Sequence, residues 1–212
     1  MDSGKGGIGM YLSKILLDPM HPSARQALRD RQDMHRNVLR FFPDDGLQES
    51  VLYRVVETKY EIQLIVLSNS QPDADRILSF GGKLSSTSDI SSLPDLYKEG
   101  AVLRFSLLAC PSKKVAAADG GNSRRVLIRE PGKRAEWLSR QGQKYGFSVL
   151  ECNEPSAAQR LRIGRKSGGF DLNAIDLSGV LRIDDAALFW VSWRKGIGPE
   201  KAYGLGLMLL SR

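Results

Sequence analysis

His35 is the residue in this chain whose type and neighbours best suit proton transfer near neutral pH. An imidazole exchanges protons in that range and serves as a general acid or base. Arg36 follows it directly and Arg40 lies about one helical turn further on, so positive charge for a phosphate is close in sequence. Residue 35 also borders the predicted apolar face of a helix, so a packing or hydrogen-bonding histidine is the alternative interpretation.

A glycine-rich segment near the C-terminus is a second candidate for chemistry. It contains Gly196, Gly198, Gly204 and Gly206, with Lys201 between them. Glycine permits positive φ and close approach of the backbone, and such a loop can direct N–H groups towards phosphate oxygens. A generic turn between a helix and a strand explains the same glycines without any ligand.

Two basic segments could hold the phosphates of a nucleic acid. In the first, Arg160 and Arg162 alternate on one face of a predicted strand, and Arg165 with Lys166 stands at its tip. Such a hairpin could grip phosphates, or it could be a solvated edge that charge protects from aggregation. The second segment is predicted as a basic loop over residues 113–125, and its four candidate contacts are Lys113, Lys114, Arg124 and Arg125.

The distribution of charge supports a polyanionic partner. The 212 residues include 31 Lys and Arg against 24 Asp and Glu, a net charge of +7. Residues 104–166 alone hold 14 basic and 5 acidic residues, a net of +9, so the rest of the chain carries −2. Positive charge gathered in one stretch favours nucleic acid or another acidic partner. The 42% apolar content excludes a fully disordered chain.

Several classes of site and location are disfavoured. Cys110 and Cys152 lack the CxxC spacing of a zinc site, and only His21 and His35 could join them. No metal and no cofactor are therefore predicted, although carboxylates alone could still hold magnesium. No run of 18 apolar residues suggests a membrane span, and the first residues lack a signal peptide. The prediction is a cytoplasmic protein with no membrane partner.

The elements that must position these residues repeat in the two halves of the chain. The pattern predicts a strand at Tyr11–Leu17, a helix capped by Asp30 and running to about residue 42, and a short strand near residues 77–84. The second half adds a helix over residues 131–145, strands over 159–164 and 170–183, a helix capped by Asp184, and a last strand over 203–210. Each half approximates β-α-β-β-(α)-β, with a poor second helix in the first half. This predicts an α+β fold of tandem ferredoxin-like (RRM-like) domains, with antiparallel sheets and helices on one face.

The predicted boundaries follow from this repeat. Residues 1–9 form a flexible extension and residues 10–93 a first domain with the candidate catalytic histidine. A linker covers residues 94–101. Residues 102–212 form a second domain with the basic hairpin and the glycine-rich loop.

Six motifs, in this order along the chain, resemble one known family. They are MYLSKILL from residue 10, MHR at 34–36, LRFSLLACPSKK at 103–114, AEWL at 135–138, GVLRIDD at 179–185 and GIGPEKAYGLGLM at 196–208. In combination they resemble the type I-E CRISPR repeat-RNA endoribonucleases, the Cse/CasE family. The resemblance covers nearly all of residues 10–212.

The resemblance implies two ferredoxin-like domains and metal-independent cleavage of CRISPR precursor RNA at the 3′ base of the repeat stem-loop. The enzyme then stays on the crRNA hairpin as a Cascade subunit, so repeat RNA and other Cascade subunits are the implied partners. The family's catalytic histidine falls on His35 and its following cation on Arg40. The stem-gripping hairpin falls on residues 160–166, and the glycine-rich loop on residues 196–206.

One position departs from the family pattern. Some relatives carry a tyrosine three residues before the histidine, where this chain has Gln32. Glutamine can form hydrogen bonds but cannot transfer a proton, so a tyrosine-assisted mechanism is not expected. RNA supplies its own nucleophile, the 2′-OH, and one histidine with nearby cations is sufficient chemistry. The alternative is a catalytically inactive RNA-hairpin-binding or scaffolding subunit with the same tandem fold.

Overall fold

The first half of the chain forms a four-stranded antiparallel sheet with its helices on one face. The computed structural model describes residues 9–43, 50–116, 124–164 and 168–212. The strand order is β2-β3-β1-β4, the order of a ferredoxin-like domain. The elements are β1 Tyr11–Leu17, α1 Pro22–Arg29, α2 Arg31–Leu39, β2 Leu52–Glu57, β3 Ile62–Ser68, α3 Ala74–Phe80, β4 Gly82–Asp89 and the short helix α4 Leu93–Leu96.

The second half repeats this plan with additions. Its main sheet has the order β11-β5-β10-β8, and β9 pairs with the first part of the long strand β10. A separate two-stranded hairpin is formed by β6 and β7. The elements are β5 Val102–Ala109, β6 Ser112–Val115, β7 Arg124–Leu127, α5 Pro131–Tyr145, β8 Phe147–Asn153, β9 Gln159–Ile163, β10 Phe170–Ile183, α6 Ala186–Lys195 and β11 Met208–Ser211, with a 3₁₀ turn at Lys201–Tyr203.

Burial explains why the helices lie on one face of each sheet. In the first half, Met34 and Val38 of α2 share an apolar cluster with Ile15 and Leu64 of the sheet. In the second half, residues of α5 and α6 pack on β5 and β10; they include Trp137, Leu138, Phe189, Trp193, Leu107 and Leu177. These patterns confirm the predicted α+β class with tandem ferredoxin-like architecture.

The two halves also share apolar contacts. Met10, Leu52 and Leu67 of the first half belong to the same buried cluster as Leu107 of the second. Helix α4, at residues 93–96, crosses the predicted start of the linker. The proposed domain boundaries therefore stay a prediction.

Four predictions about the elements were wrong. The N-cap of α6 is Asp185, whose carboxylate accepts from the N–H of Leu188, and not Asp184. The strand expected near residues 77–84 is the end of α3 followed by β4, because Asp73 caps α3 and Gly81, at φ 94°, ends it. Seven helical residues are too few to show a helical period. The basic loop expected over residues 113–125 instead overlaps the paired strands β6 and β7, while residues 117–123 lie outside the described part. The last strand begins at Met208, after a 3₁₀ turn where a strand was expected.

Candidate functional site

The fold brings three motifs together that are far apart in sequence. Helix α2, which carries His35, packs against β9, which carries Arg160 and Arg162, and against the 3₁₀ turn that contains Lys201. All three elements lie where the first half of the chain meets the second. This arrangement packs the helix that carries the candidate proton-transfer group against the densest described cationic strand.

A carboxylate joins α2 to the end of β9. Oδ1 of Asp30 accepts from the backbone N–H of Gln32 at 2.9 Å, which is the N-cap of α2, and from the N–H of Gly164 at 2.9 Å. A Cβ on Gly164 would lie 2.0 Å from Oδ2 of Asp30, so residue 164 must be glycine for this contact to form. The predicted Asp30 cap is present, and the second bond fixes the basic hairpin relative to the histidine helix.

A buried tyrosine makes the second link. The Tyr53 hydroxyl donates to the carbonyl of Ala202 at 3.0 Å and approaches the carbonyl of Arg31 at 3.3 Å. Burial raises the pKa of Tyr53 far above its usual range, so the hydroxyl stays protonated and remains a donor. Tyr53 therefore connects the start of α2 to the glycine-rich loop through a single side chain.

His35 is half-buried on α2, outside the fully buried stripe of Met34 and Val38. Burial lowers the pKa of its imidazole below the ordinary 6.5, so the neutral form dominates at physiological pH. No hydrogen bond engages the ring within the part of the chain that the structure describes. A neutral, uncommitted imidazole can accept a proton from a hydroxyl placed beside it.

The two cations near His35 differ in placement. Arg36 is exposed and pairs with Asp33, Nη1 to Oδ1 at 3.1 Å. Arg40 forms the C-cap of α2, about 140° around the helix axis from His35 at 100° per residue. It lines a shallow groove with Asp75 and Arg76. The structure therefore does not put Arg40 on the face of α2 that carries His35, and its catalytic role stays a prediction.

The two described arginines of β9 share one carboxylate. Arg160 lies opposite Asn173, and Arg162 lies opposite Asp171. Nε of Arg160 donates to Oδ2 of Asp171 at 2.9 Å, and Nη1 of Arg162 is 3.6 Å from its Oδ1. These bonds hold the pKa of Asp171 below its usual range. The predicted Arg165 and Lys166 lie outside the described residues.

The second basic segment adjoins this strand pair. Lys113 and Lys114 are exposed on β6, and Lys114 lies opposite Arg125. Arg124 lies in register with Val115 of β6. Arg125 lines a shallow groove with Arg129 of the following segment and Asn173 of β10. Asn173 in turn lies opposite Arg160, so the two predicted basic segments border one surface.

The glycines of the glycine-rich loop are needed for the backbone conformation and packing of the protein itself. Gly196, Gly198, Gly204 and Gly206 all have φ between 79° and 89°. A Cβ on Gly204 would lie 2.8 Å from Cε2 of Tyr53, and one on Gly198 would lie 3.1 Å from the Trp137 ring. These glycines are therefore required for backbone conformation and packing, and their contact with RNA stays a prediction.

Lys201 of the same loop already has a partner. Its Nζ donates to the carbonyl of Lys195 at 2.8 Å, at the end of α6. Desolvation and then the neighbouring Lys144 and Lys195 lower the pKa of this ammonium group. Any contact between Lys201 and a phosphate would compete with this bond.

Three arginines beside the site were not predicted from the sequence. Arg29, Arg31 and Arg54 line a cleft of about 440 Å³ together with Arg160 and Arg162. The sequence pattern did mark Arg54 as unusual, since it is a charged residue in the middle of the mostly apolar strand β2. No sequence pattern marked Arg31, because a charged residue in the first turn of a helix is common.

Two further observations concern metals and membranes. Within the described ranges, no three His, Cys, Asp or Glu side chains come together as a metal-binding group. None of the described helices is long and apolar enough to cross a membrane.

Comparison with known proteins identifies relatives over nearly the whole chain. Residues 10–212 match a protein family described as CRISPR associated protein. The CRISPR-associated endoribonuclease Cse3 of Thermus thermophilus is 29% identical over 213 residues, covering 94% of this chain and 98% of that protein.

Solved structures are similar over the same extent. Thermus thermophilus Cse3 bound to an RNA representing a pre-cleavage complex superposes with a TM-score of 0.84 at 26% identity, covering 96% of this chain and 100% of that one. A chain of a CRISPR RNA-guided surveillance complex, in a pre-nicking state, has a TM-score of 0.74 at 24% identity, covering 95% of this chain and 99% of that one. At 24% identity, the similarity to the surveillance-complex chain shows a shared fold and no more.

Proposed function

This chain belongs to the CRISPR-associated protein family, and from that premise we propose that it is an endoribonuclease that processes CRISPR precursor RNA. The proposed substrate is the repeat stem-loop, cut at its 3′ base without a metal ion. The similarity to Cse3 in sequence, and to its RNA-bound structure, supports the reaction class. The domain division at residues 94–101 and a cytoplasmic location belong to the same proposal.

One structural observation carries the proposal. The helix with the neutral, half-buried His35 is bonded through Asp30 to the end of the cationic strand β9. An RNA held by Arg160 or Arg162 would therefore lie against the helix that carries a proton acceptor. A histidine that served packing alone would need no such neighbour.

The chemistry requires only groups that this arrangement supplies. The His35 imidazole accepts the proton of the 2′-OH at the nucleotide before the cut. The 2′ oxygen then attacks the adjacent phosphorus, and the bond to the 5′ oxygen of the next nucleotide breaks. That oxygen takes a proton from solvent water, so the products are a 2′,3′-cyclic phosphate and a 5′-OH. Nearby arginine guanidinium groups stabilise the charge that develops on the phosphorane.

Recognition of the stem-loop falls to the basic surface. An A-form stem is recognised through its shape and phosphates, because its major groove is too narrow for side chains to read. Arg160, Arg162, Lys113, Lys114 and Arg125 offer cations for those phosphates. We assign retention on the crRNA product, as a Cascade subunit, to the same contacts.

The test is incubation of the purified protein with a repeat stem-loop RNA in excess EDTA. Cleavage giving a cyclic phosphate is expected, and an RNA with a 2′-deoxy sugar at the nucleotide before the cut should bind without being cut. Tight binding with no cleavage of the all-ribose RNA would favour the inactive hairpin-binding subunit instead.

A further inference from the structure

The cleft of about 440 Å³ lies where the first half meets the second. The first half lines it with the end of α1, the start of α2 and strand β2, and the second half with residues of β5, β9 and β10. Along β2, Tyr53 and Val55 pack into the apolar cluster under the helices. Arg54 therefore points the other way, towards the second half. Its Nη1 donates to Oγ of Ser106 at 2.8 Å and its Nη2 to Oδ1 of Asp176 at 3.1 Å.

Two of the arginines that line this cleft are buried with unused donors. Arg31 and Arg54 are each only 7% exposed. Nη1 of Arg31 and Nε of Arg54 have no hydrogen-bond partner among the described residues. Burying an N–H of a charged group without an acceptor is costly. Within the described ranges, both atoms are therefore donors that can still bind an acceptor.

The charge of the cleft specifies an anion. Five arginines line it, against the two carboxylates Glu57 and Asp176. Asp176 is already committed to Arg54, with 8% and 19% exposure of the two side chains. Desolvation lowers the pKa of both buried arginines, and an arriving anion would offset that cost. Planar guanidinium groups with free N–H bonds suit phosphate oxygens.

Size and position narrow the choice of anion. A duplex is too wide for this cleft, whereas one nucleotide unit fits a pocket of this volume. At the rim are Arg160 and Arg162, which also face the proposed stem-binding surface. Arg31 lies one helical turn before His35 on α2. A single strand that continues from a hairpin held by Arg160 and Arg162 would begin at the rim of this cleft.

We infer that the cleft binds a phosphate of a single-stranded RNA segment, with the N–H groups of Arg31 and Arg54 as its buried ligands. The inference rests on the proposed function, since it takes RNA as the ligand. It adds a site for a flanking single strand, separate from the surface proposed for the stem.

The experiment measures binding of a labelled single-stranded hexauridylate by fluorescence anisotropy. Arg31→Met should weaken binding by about tenfold or more, the loss of a charge-assisted contact. Arg54→Lys keeps the positive charge beside Asp176 but loses the planar guanidinium group with its several N–H donors. This variant should also weaken hexauridylate binding. Arg140→Met, which removes an exposed arginine on α5, is the matched control and should bind as the wild type does.

Melting temperature supplies an independent readout. Arg31→Met removes a buried cation with an unpaired donor, so the free variant should melt at or above the wild-type temperature. Hexauridylate should raise the melting temperature of the wild type and of Arg140→Met, but not that of Arg31→Met. A ligand-induced rise of equal size in Arg31→Met would contradict the inference.

Two further outcomes would overturn the proposal. Unchanged hexauridylate affinity in folded Arg31→Met and Arg54→Lys would remove the cleft from RNA binding. Hexaglutamate binding that depends on Arg31, with hexauridylate binding that does not, would assign the cleft to an acidic peptide. Failure of the proposed function has a different signature, since the wild type would then leave the stem-loop RNA uncut in the cleavage assay.

Discussion

Asp30 accepts the backbone N–H of Gly164 across 134 positions of sequence, at 2.9 Å, with the same oxygen that caps α2. One carboxylate thus sets both the start of the histidine helix and the position of the basic hairpin. Its removal tests whether the site depends on this connection.

Asp30→Ala should lower the free energy of unfolding by about 2–3 kcal/mol, from the lost cap and the unpaired N–H of Gly164. Asp185→Ala is the matched control, because Asp185 caps α6 through Leu188 alone, and it should cost about 1 kcal/mol. Urea denaturation of both variants gives the comparison. Equal losses would show that the bond to Gly164 contributes nothing.

His35→Ala should slow single-turnover cleavage of the stem-loop RNA by ~10²–10⁴-fold, the usual contribution of a general acid or base. RNA affinity should change little, because a neutral imidazole contributes little to phosphate binding. Rate and melting temperature are measured on the same sample. A lowered melting temperature with normal cleavage per folded molecule would make His35 a packing residue.

The pH dependence of cleavage follows from the environment of His35. Burial lowers its pKa below 6.5, so the imidazole remains neutral, and able to accept a proton, as the pH falls past that value. The acid limb of the single-turnover rate should therefore have its midpoint below 6.5. The His35→Ala variant should lack that limb. A midpoint above 6.5 would assign the limb to another group.

Asp171 occupies the two arginines of β9 that are expected to bind the stem. Arg160→Gln with Arg162→Gln should weaken stem-loop binding by about 1–3 kcal/mol and reduce its salt dependence. Asp171→Asn should strengthen binding, because it releases both guanidinium groups. Asp184→Asn, which makes the same charge change beside Arg182, is the control. An equal increase in stem-loop affinity in the two Asn variants would show that the change in net charge, and not release of the two arginines, causes the stronger binding.

Gly204 and Gly100 have the same φ of 82°, but their surroundings differ. A Cβ at Gly204 would lie 2.8 Å from the Tyr53 ring, whereas nothing lies within 4 Å of one at Gly100. Gly100→Ala should cost about 1–2 kcal/mol for the left-handed backbone, and Gly204→Ala about 1–3 kcal/mol more for overpacking. Thermal or urea unfolding measures both. Equal costs would exclude close packing against Tyr53.

Much of the fold could be predicted from local patterns. The strand Tyr11–Leu17 and the helix Pro131–Tyr145 have the bounds that alternation and the helix-opening proline indicate. Helix α3 could not be predicted, because seven residues show too little periodicity, and its limits depend on Asp73 and Gly81.

For the candidate site too, some features could be predicted from the sequence and others depended on the tertiary structure. The residue types and their order along the chain identified His35, the basic segments and the glycine-rich loop, because chemistry resides in side chains. Only the tertiary structure could pair Asp30 with Gly164, or bury Arg31 and Arg54 in one cleft. It also assigned Gly204 to the ring of Tyr53. These contacts join residues more than a hundred positions apart or depend on which face of a strand is covered, and no local pattern encodes either.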